Sequence, residues 1–568
     1  MAPALSPGPP GPGQEQVELY VRTYRSVLRS SGEIRLQALE RAHLGMESSL
    51  HPLAARPELD SGALLYALHR LPPVVLELEH LCLGQSPDQL LRLRGSSAAE
   101  WVAVTAEGRR RRWWWHPQLH TLAVALASSS DLDDLVPTLV ALQIEWNKAH
   151  ALLEGVGDQP AEERTLEVRR RLAISDDDYG RLQLVFGQRL EEFLDLVSSR
   201  PMDLGIQLLG GSQVGYARAT REWWRPIGDV IRQQQLLDRP LYFVSSNAHC
   251  LVNVLSGVAR DRSERVMAWV AESGDQELQL IAAELAEPGS RRSRDNFLYY
   301  AGRRWFEAHP EERQRRAQEE RREGIFHVPS QSGTDVAAQL IVLDRLRSER
   351  LDPRLRPDPA ALSSSPHLIL NIQYPLGQGA YHILRQVMEA TEHVEGVYVL
   401  GKAATLNADV GDVLISDVVH DEQSGNTYWL NNCFDFSKLD PLLRSRAVLD
   451  RQRAVSVRST FLQNRGYLER YYRDAYTVVE MEAGPYLGAV FEAGDSARYP
   501  GQEQVDLTRP AMEVGVIHYA SDTPYTQART LGARGLRFEG MEATYAGALA
   551  IAARILERCS GEVAVGGS

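Results

Sequence analysis

Between Arg239 and Leu406 the chain repeats one local pattern, a short apolar run passing into a polar or glycine-containing turn. PLYFVSSN leads into the helical spacing of AHCLVNVLSGVA. Similar steps follow at GIFHVPSQSGTDVAAQLIVLDRL (324–346), HLILNIQYPLGQGAYHILRQVM (367–388) and GVYVLGKAATL (396–406). Strand, loop and helix in series require a sheet with helices packed on its faces, so the pattern predicts an α/β domain on a largely parallel sheet over 235–560. Within it the charged stretch Glu311 to Glu323 is expected as an exposed helix. The Pro- and Ser-containing segment Asp352 to Pro366 is expected as a loop inside the domain.

Upstream the texture differs. From 17 to 234 apolar residues recur at three- and four-residue spacing, which predicts an all-α N-terminal domain. In Asp131 to His150, Leu132, Leu135, Leu139, Leu142 and Trp146 share one face, with Ser130 or Asp131 as cap. Residues 1–16, rich in Pro and Gly, are expected as a disordered tail, and 561–568 as a short C-terminal tail. A length of 568 residues exceeds one ordinary core. The net charge of -13 argues against affinity of the whole chain for phosphate backbones. The four cysteines show no metal-ligand spacing, and no apolar stretch reaches the ~18 residues of a membrane-spanning helix. The expectation is a soluble, cytoplasmic protein with no metal and no cofactor.

Three segments carry chemistry. In TVVEMEAGPYLGAVFEAG (477–494) a β-branched run delivers Glu480, Met481 and Glu482 to a strand end, and small residues then begin a helix. In VGVIHYASDTPYT (514–526) an apolar strand ends at Ser521 and Asp522. In GVYVLGKAATLNADVGDVLISDVV (396–419) a strand meets a turn at Gly401, Lys402 and Ala404 before a second strand. The first segment resembles the purine nucleoside phosphorylase and nucleosidase superfamily at its V-E-M-E-A signature, over Val479 to Ala483.

The resemblance implies a phosphorylase-like α/β fold with a mixed sheet flanked by helices. It also implies cleavage of the N-glycosidic bond of a purine nucleoside or nucleotide. Glu482 would hold the ribose 2′-hydroxyl, Met481 would pack on the sugar, and Asp522 would protonate purine N7. That chemistry is coherent, because cleavage builds positive charge on the ribose and negative charge on the base. The stretch TPYTQARTLGARGLRFEG resembles AMP nucleosidases, which implies an AMP-like substrate, and Arg534 lies where related enzymes assist the acid. RSTFLQN (458–464) resembles methylthioadenosine nucleosidases, which makes Phe461 and Leu462 the base-binding residues. Gly377 and Gly379 lie in a loop similar to the superfamily's G-x-G loop, whose helix N-terminus faces an anion or a sugar oxygen. Lys402 is read either as a contact to a 5′-phosphate or as a solvated turn residue.

The superfamily's phosphate-binding arginines are not evident in the first loop, where Asn247 and His249 stand, nor before Gly401. Water is therefore the expected nucleophile, with His249 or a carboxylate from elsewhere as the activating base. The rival readings are a phosphate-dependent phosphorylase and a catalytically silent nucleotide sensor. The run Arg109 to Arg112 followed by Trp113, Trp114 and Trp115 has the composition of a single-strand-binding platform. The same residue types also knit interfaces, so the N-terminal region is read as an oligomer contact or a lid, with nucleic acid set aside and a homo-oligomer expected.

Overall fold

The computed structural model describes residues 12–30, 32–154, 161–287, 290, 293–495, 498–523 and 538–565. The N-terminal region is not all-α. It holds six strands, β1 (Glu33–Arg35), β2 (His80–Gly84), β3 (Val102–Val104), β4 (Trp113–His116), β5 (Thr121–Ala125) and β6 (Gly205–Leu208), in the order β1-β6-β2-β5-β4-β3. The central strands β2 and β5 pair in parallel and are almost entirely buried. A strand covered on both faces shows no polar alternation, so HLCLG and TLAVA look like fragments of a buried helix in sequence.

The helix expected at Asp131 to His150 runs from Ser129 to Leu152. Its cap is Ser128, which forms a capping box with Asp131, and it is buried on nearly every side. Two members of the arginine run, Arg109 and Arg111, are paired with this helix. Arg109 Nη2 lies 2.7 Å from Asp134, and Arg111 reaches Asp131 at 2.8 Å and Asp134 at 2.7 Å. Burial opposes ionisation of Asp134, yet Arg109 and Arg111 hold its carboxyl well below the usual range. Trp113 and Trp115 are core residues, and Trp114 between them is half-buried.

The second sheet contains β7 (Leu241–Ser246), β8 (Ile325–Val328), β9 (Ala338–Val342), β10 (Leu368–Gln373), β11 (Val394–Thr405), β12 (Val413–Asp421), β13 (Thr427–Leu430), β14 (Val448–Ser456), β15 (Val478–Glu480), β16 (Gln504–Leu507) and β17 (Glu513–Asp522). Strands β7, β10, β11 and β17 are joined by parallel pairings, whereas β11 with β15 and β12 with β17 are antiparallel. The sheet is thus mixed rather than largely parallel. The step expected at 324–346 is a hairpin of β8 and β9, and β11 passes directly into β12 without a helix. Because β17 pairs with both β11 and β12, the strands β11, β15, β14, β12 and β17 close into a ring, which removes their free edges.

The boundary near 234 is not a linker. The helix Gln213–Gln233 places Trp223 and Ile227 in a core with β7, β10 and β17. A further core joins Leu142 and Val197 of the N-terminal region to Val455, Leu468 and Val479. A helical insert from Cys250 to Arg322 separates β7 from β8, and its last helix, Pro310–Arg322, matches the expected charged helix. The segment Asp352 to Pro366 stays within the domain and holds the short helix Pro359–Ser364. The helix Pro12–Ser30 begins inside the expected N-terminal tail, and the helix Met541–Val565 extends into the C-terminal one. Among the described residues no helix is long and apolar enough to cross a membrane.

Candidate functional site

Strand β15 ends at Glu480, and the helix Ala483–Gly494 starts immediately after it. A helix start leaves backbone N–H groups without partners. Glu480 takes two of them, accepting from Glu482 N–H at 2.6 Å and Ala483 N–H at 2.7 Å, and it also accepts from the Ser456 hydroxyl. Glu480 therefore fixes the geometry of the strand-to-helix turn. Burial pushes its carboxyl up to about 8, with the neighbouring Glu482 charge adding to the shift. Glu482 accepts from the Gly377 N–H at 3.3 Å, and burial pushes it up to about 7 against the pull of that hydrogen bond and of Arg109 and Lys402. Met481 packs half-buried against the shared core. All three residues line one cavity of about 1220 Å³ between the two sheets, somewhat larger than the ~300–1,000 Å³ of ordinary ligand sites.

The other wall of that cavity is made by β11 and β17. Their register runs Ala403 with Ala520 and then Ala404 with Asp522, so Ser521 is an extra residue on β17. Such a bulge bends a strand and re-aims the side chains after it. Ser521 donates from its hydroxyl to the Ala403 carbonyl at 3.1 Å, which pins the bulge. Ala404 also faces Val479 on its other side. The backbone of Asp522 and the end of β15 thus flank the same residue, two strand spacings or ~10 Å apart. Gly401, Lys402, Ala404 and Ser521 line the cavity. A side chain at Gly401 would come no closer than 3.9 Å to His518, so glycine here leaves room rather than relieving a clash.

Gly377 holds φ at +50°, and a Cβ there would come within 2.7 Å of Ser130 Cβ. The N-terminal helix grips this loop, since the Ser130 hydroxyl accepts from Gln378 N–H at 2.9 Å. Gly377→Ala is expected to cost about 1–3 kcal/mol through the left-handed backbone and the contact with Ser130. Thermal unfolding of the variant checks it, and an unchanged Tm would show that the loop relaxes freely. Gly379 begins the helix Gly379–Ala390 behind Pro375.

Asn247 is committed to structure, its side-chain oxygen accepting from His249 N–H at 3.0 Å and Cys250 N–H at 2.7 Å to start the helix Cys250–Ser256. His249 lines the cavity, but burial, aided by Arg303 and Arg316, pulls it down to about 3. An imidazole that weakly basic is poorly matched to taking a proton from water at neutral pH, which counts against His249 as the activating base. Phe461 does not line the cavity. It sits 5.1 Å from Tyr66 and near His43 and His51 in a buried aromatic cluster. Leu462 belongs to the shared core, while Val457, Thr460 and Gln463 around them reach the cavity. Arg534 and the stretch from 524 to 537 lie outside the described residues.

Several lining residues escaped the sequence reading. Tyr66, His69 and Arg70 come from the N-terminal region, and Arg303, Arg313 and Arg316 come from the helical insert. No local signal marks them, because ordinary helical spacing and surface charge look the same wherever the element docks. His518 had a signal, an imidazole in the otherwise apolar strand VGVIHYA. It is buried, pulled down to about 4 by burial, and lies 3.8 Å from Glu480.

A mixed eleven-stranded sheet partly closed into a ring, with a cavity at its strand ends lined by Glu480 and Glu482, defines an α/β protein. The chain belongs to the family of unknown function DUF6909, whose model matches residues 36–557. A comparison with curated proteins gives no match. Among solved structures it is similar to the S-adenosylhomocysteine nucleosidase of Streptococcus pyogenes in complex with 5-methylthiotubericidin. The identity is 9%, the similarity covers 56% of this chain and 98% of that one, and the TM-score is 0.29. It is also similar to the 5′-methylthioadenosine/S-adenosylhomocysteine nucleosidase of S. pneumoniae, at 14% identity, 44% and 96% coverage and a TM-score of 0.28. The corresponding enzyme of Neisseria meningitidis, in complex with methylthio-immucillin-A, gives 12% identity, 43% and 94% coverage and a TM-score of 0.27.

Proposed function

We propose that this protein hydrolyses the N-glycosidic bond of a purine nucleoside or nucleotide, of the AMP type, and releases the free base. The observation that carries the reading is the convergence on Ala404: the V-E-M-E strand end pairs with it on one side and the bulged Ser521-Asp522 strand end on the other. In this reading the ribose lies over Met481 with its 2′-hydroxyl donating to Glu482. As the bond stretches, the ionised Glu482 stabilises the positive charge growing on the sugar, Asp522 delivers a proton to N7 of the departing base, and water adds to the sugar carbon, the proton it loses restoring Asp522. Glu480 keeps the turn rigid, which holds Glu482 in place while the charge develops. The same reading takes the protein as a cytoplasmic homo-oligomer.

A second reading, phosphorolysis, is favoured by Arg303, Arg313 and Arg316, which bring to the cavity beside Asn247 and His249 the guanidinium groups that the first loop itself lacks. Incubating the protein with a panel of purine nucleosides and nucleotides, with and without inorganic phosphate, and separating the products by chromatography tests both. Hydrolysis needs no added phosphate and gives free base with free sugar from a nucleoside or sugar 5-phosphate from a nucleotide. Base release that needs phosphate and yields a sugar 1-phosphate selects the second reading, and no base from any member of the panel removes both.

A further inference from the structure

Arg110 stands in the cavity wall with a different status from its neighbours. Arg109 and Arg111 are neutralised by Asp131 and Asp134, and Arg112 lies 3.8 Å from Asp335. Arg110 donates from Nη2 to the Tyr374 carbonyl at 2.7 Å and lies over the Tyr374 ring at 5.5 Å. Among the described residues no carboxylate forms an ion pair with it. A guanidinium has five N–H donors, so this contact leaves most of its hydrogen-bonding capacity for something else.

A second cation enters from the opposite wall. Lys402 is exposed on β11, and both it and Arg110 act electrostatically on Glu482. Lys402 and Arg70 together act on His69, at the N-terminal edge of the same cavity. Asp335 and Glu482 act on Arg110, and Glu482 acts on Lys402 as well. Cationic groups lining one cavity from two distant parts of the chain, one of them a planar fork, match a phosphate better than any neutral group.

We propose that Arg110 and Lys402 form a seat for the phosphate of a 5′-phosphorylated purine nucleoside, so that the N-terminal region completes the substrate pocket of its own chain. The nucleoside part of this statement rests on the function proposed above; the phosphate seat rests on the cations. Free inorganic phosphate shares the chemistry, and the test separates the two.

Calorimetric titration of the full chain carrying Asp522→Asn with AMP, adenosine and inorganic phosphate reads the seat without turnover. AMP is expected to bind at least about tenfold more tightly than adenosine, and the ratio is expected to fall about tenfold to a hundredfold in Arg110→Ala and less in Arg110→Lys, which keeps the charge but loses the fork. Inorganic phosphate competing with AMP but not with adenosine, in protein with native Arg110 and Lys402, supports the seat without relying on a substitution at either cation. Equal affinity for AMP and adenosine overturns the proposal, as does a ratio unchanged in both Arg110→Ala and Lys402→Ala. Phosphate that binds together with adenosine and is weakened by Arg110→Ala assigns the seat to free phosphate and overturns the nucleotide form. Preference for AMP through Arg110 with no base released by the unsubstituted chain leaves the seat standing and removes the enzymatic reading.

Discussion

Replacing Asp522 by Asn is expected to lower kcat for base release by about two to four orders of magnitude while nucleoside binding changes little. The backbone of Asp522 follows the Ser521 bulge and stands opposite Ala404, within ~10 Å of the β15 end. A nucleoside bound over Met481 would have its base between these strand ends. An amide keeps the size and polarity of the carboxyl group but has no proton to deliver, so its effect falls on the transition state rather than on binding. Single-turnover kinetics beside equilibrium binding separates the two. Turnover equal to that of the unsubstituted protein would exclude Asp522 as the acid.

Glu482→Gln is expected to lower kcat/KM by about a hundredfold to a thousandfold, the range seen when one transition-state-stabilising group is lost. It should also change the shape of the pH profile. With the Glu482 carboxyl pushed up to about 7, the ionised form that the proposed mechanism needs accumulates only as pH rises through neutrality. The kcat/KM of the unsubstituted protein should therefore rise through about pH 7, and the Glu482→Gln profile should lack that limb. Stability moves in the opposite sense. The pKa in the folded state lies above the ordinary value of 4.5, so the native state binds more protons than the unfolded one between about pH 4.5 and 7, and stability falls as pH rises across that window. The fall in Tm between pH 5 and pH 8 is expected to be smaller in Glu482→Gln. Equal slopes in the two proteins would show that Glu482 titrates normally.

The sequence made part of the site legible because the relevant order is local. In TVVEMEAGPYLG a β-branched strand, two carboxylates and a small-residue helix start are adjacent in the chain, and the structure places them as strand end, turn and helix start. The Ser521-Asp522 strand end was legible in the same way, whereas the turn expected at Gly401, Lys402 and Ala404 is not there: all three lie within β11, which runs on to Thr405 because its pairing with β17 and β15 continues past the glycine. Phe461 shows the limit. A phenylalanine in a loop reads the same whether it faces a ligand or a neighbouring core, and here the Tyr66 helix packs against it. The N-terminal sheet was invisible because its strands are short and its central ones are covered on both faces.

By itself the sequence determined the α/β character of the second half, the strand that carries Glu480 and Glu482, the strand that ends at Asp522, and the helix that begins near Ser130. Only tertiary structure decided that these strand ends meet beside Ala404, that the ring closes through β17, and that arginines distant in the chain enter the same cavity. The physical reason is range. Propensity, capping and periodicity act over a few residues, whereas pairing register and the docking of one buried face on another depend on surfaces that exist only once both elements have formed.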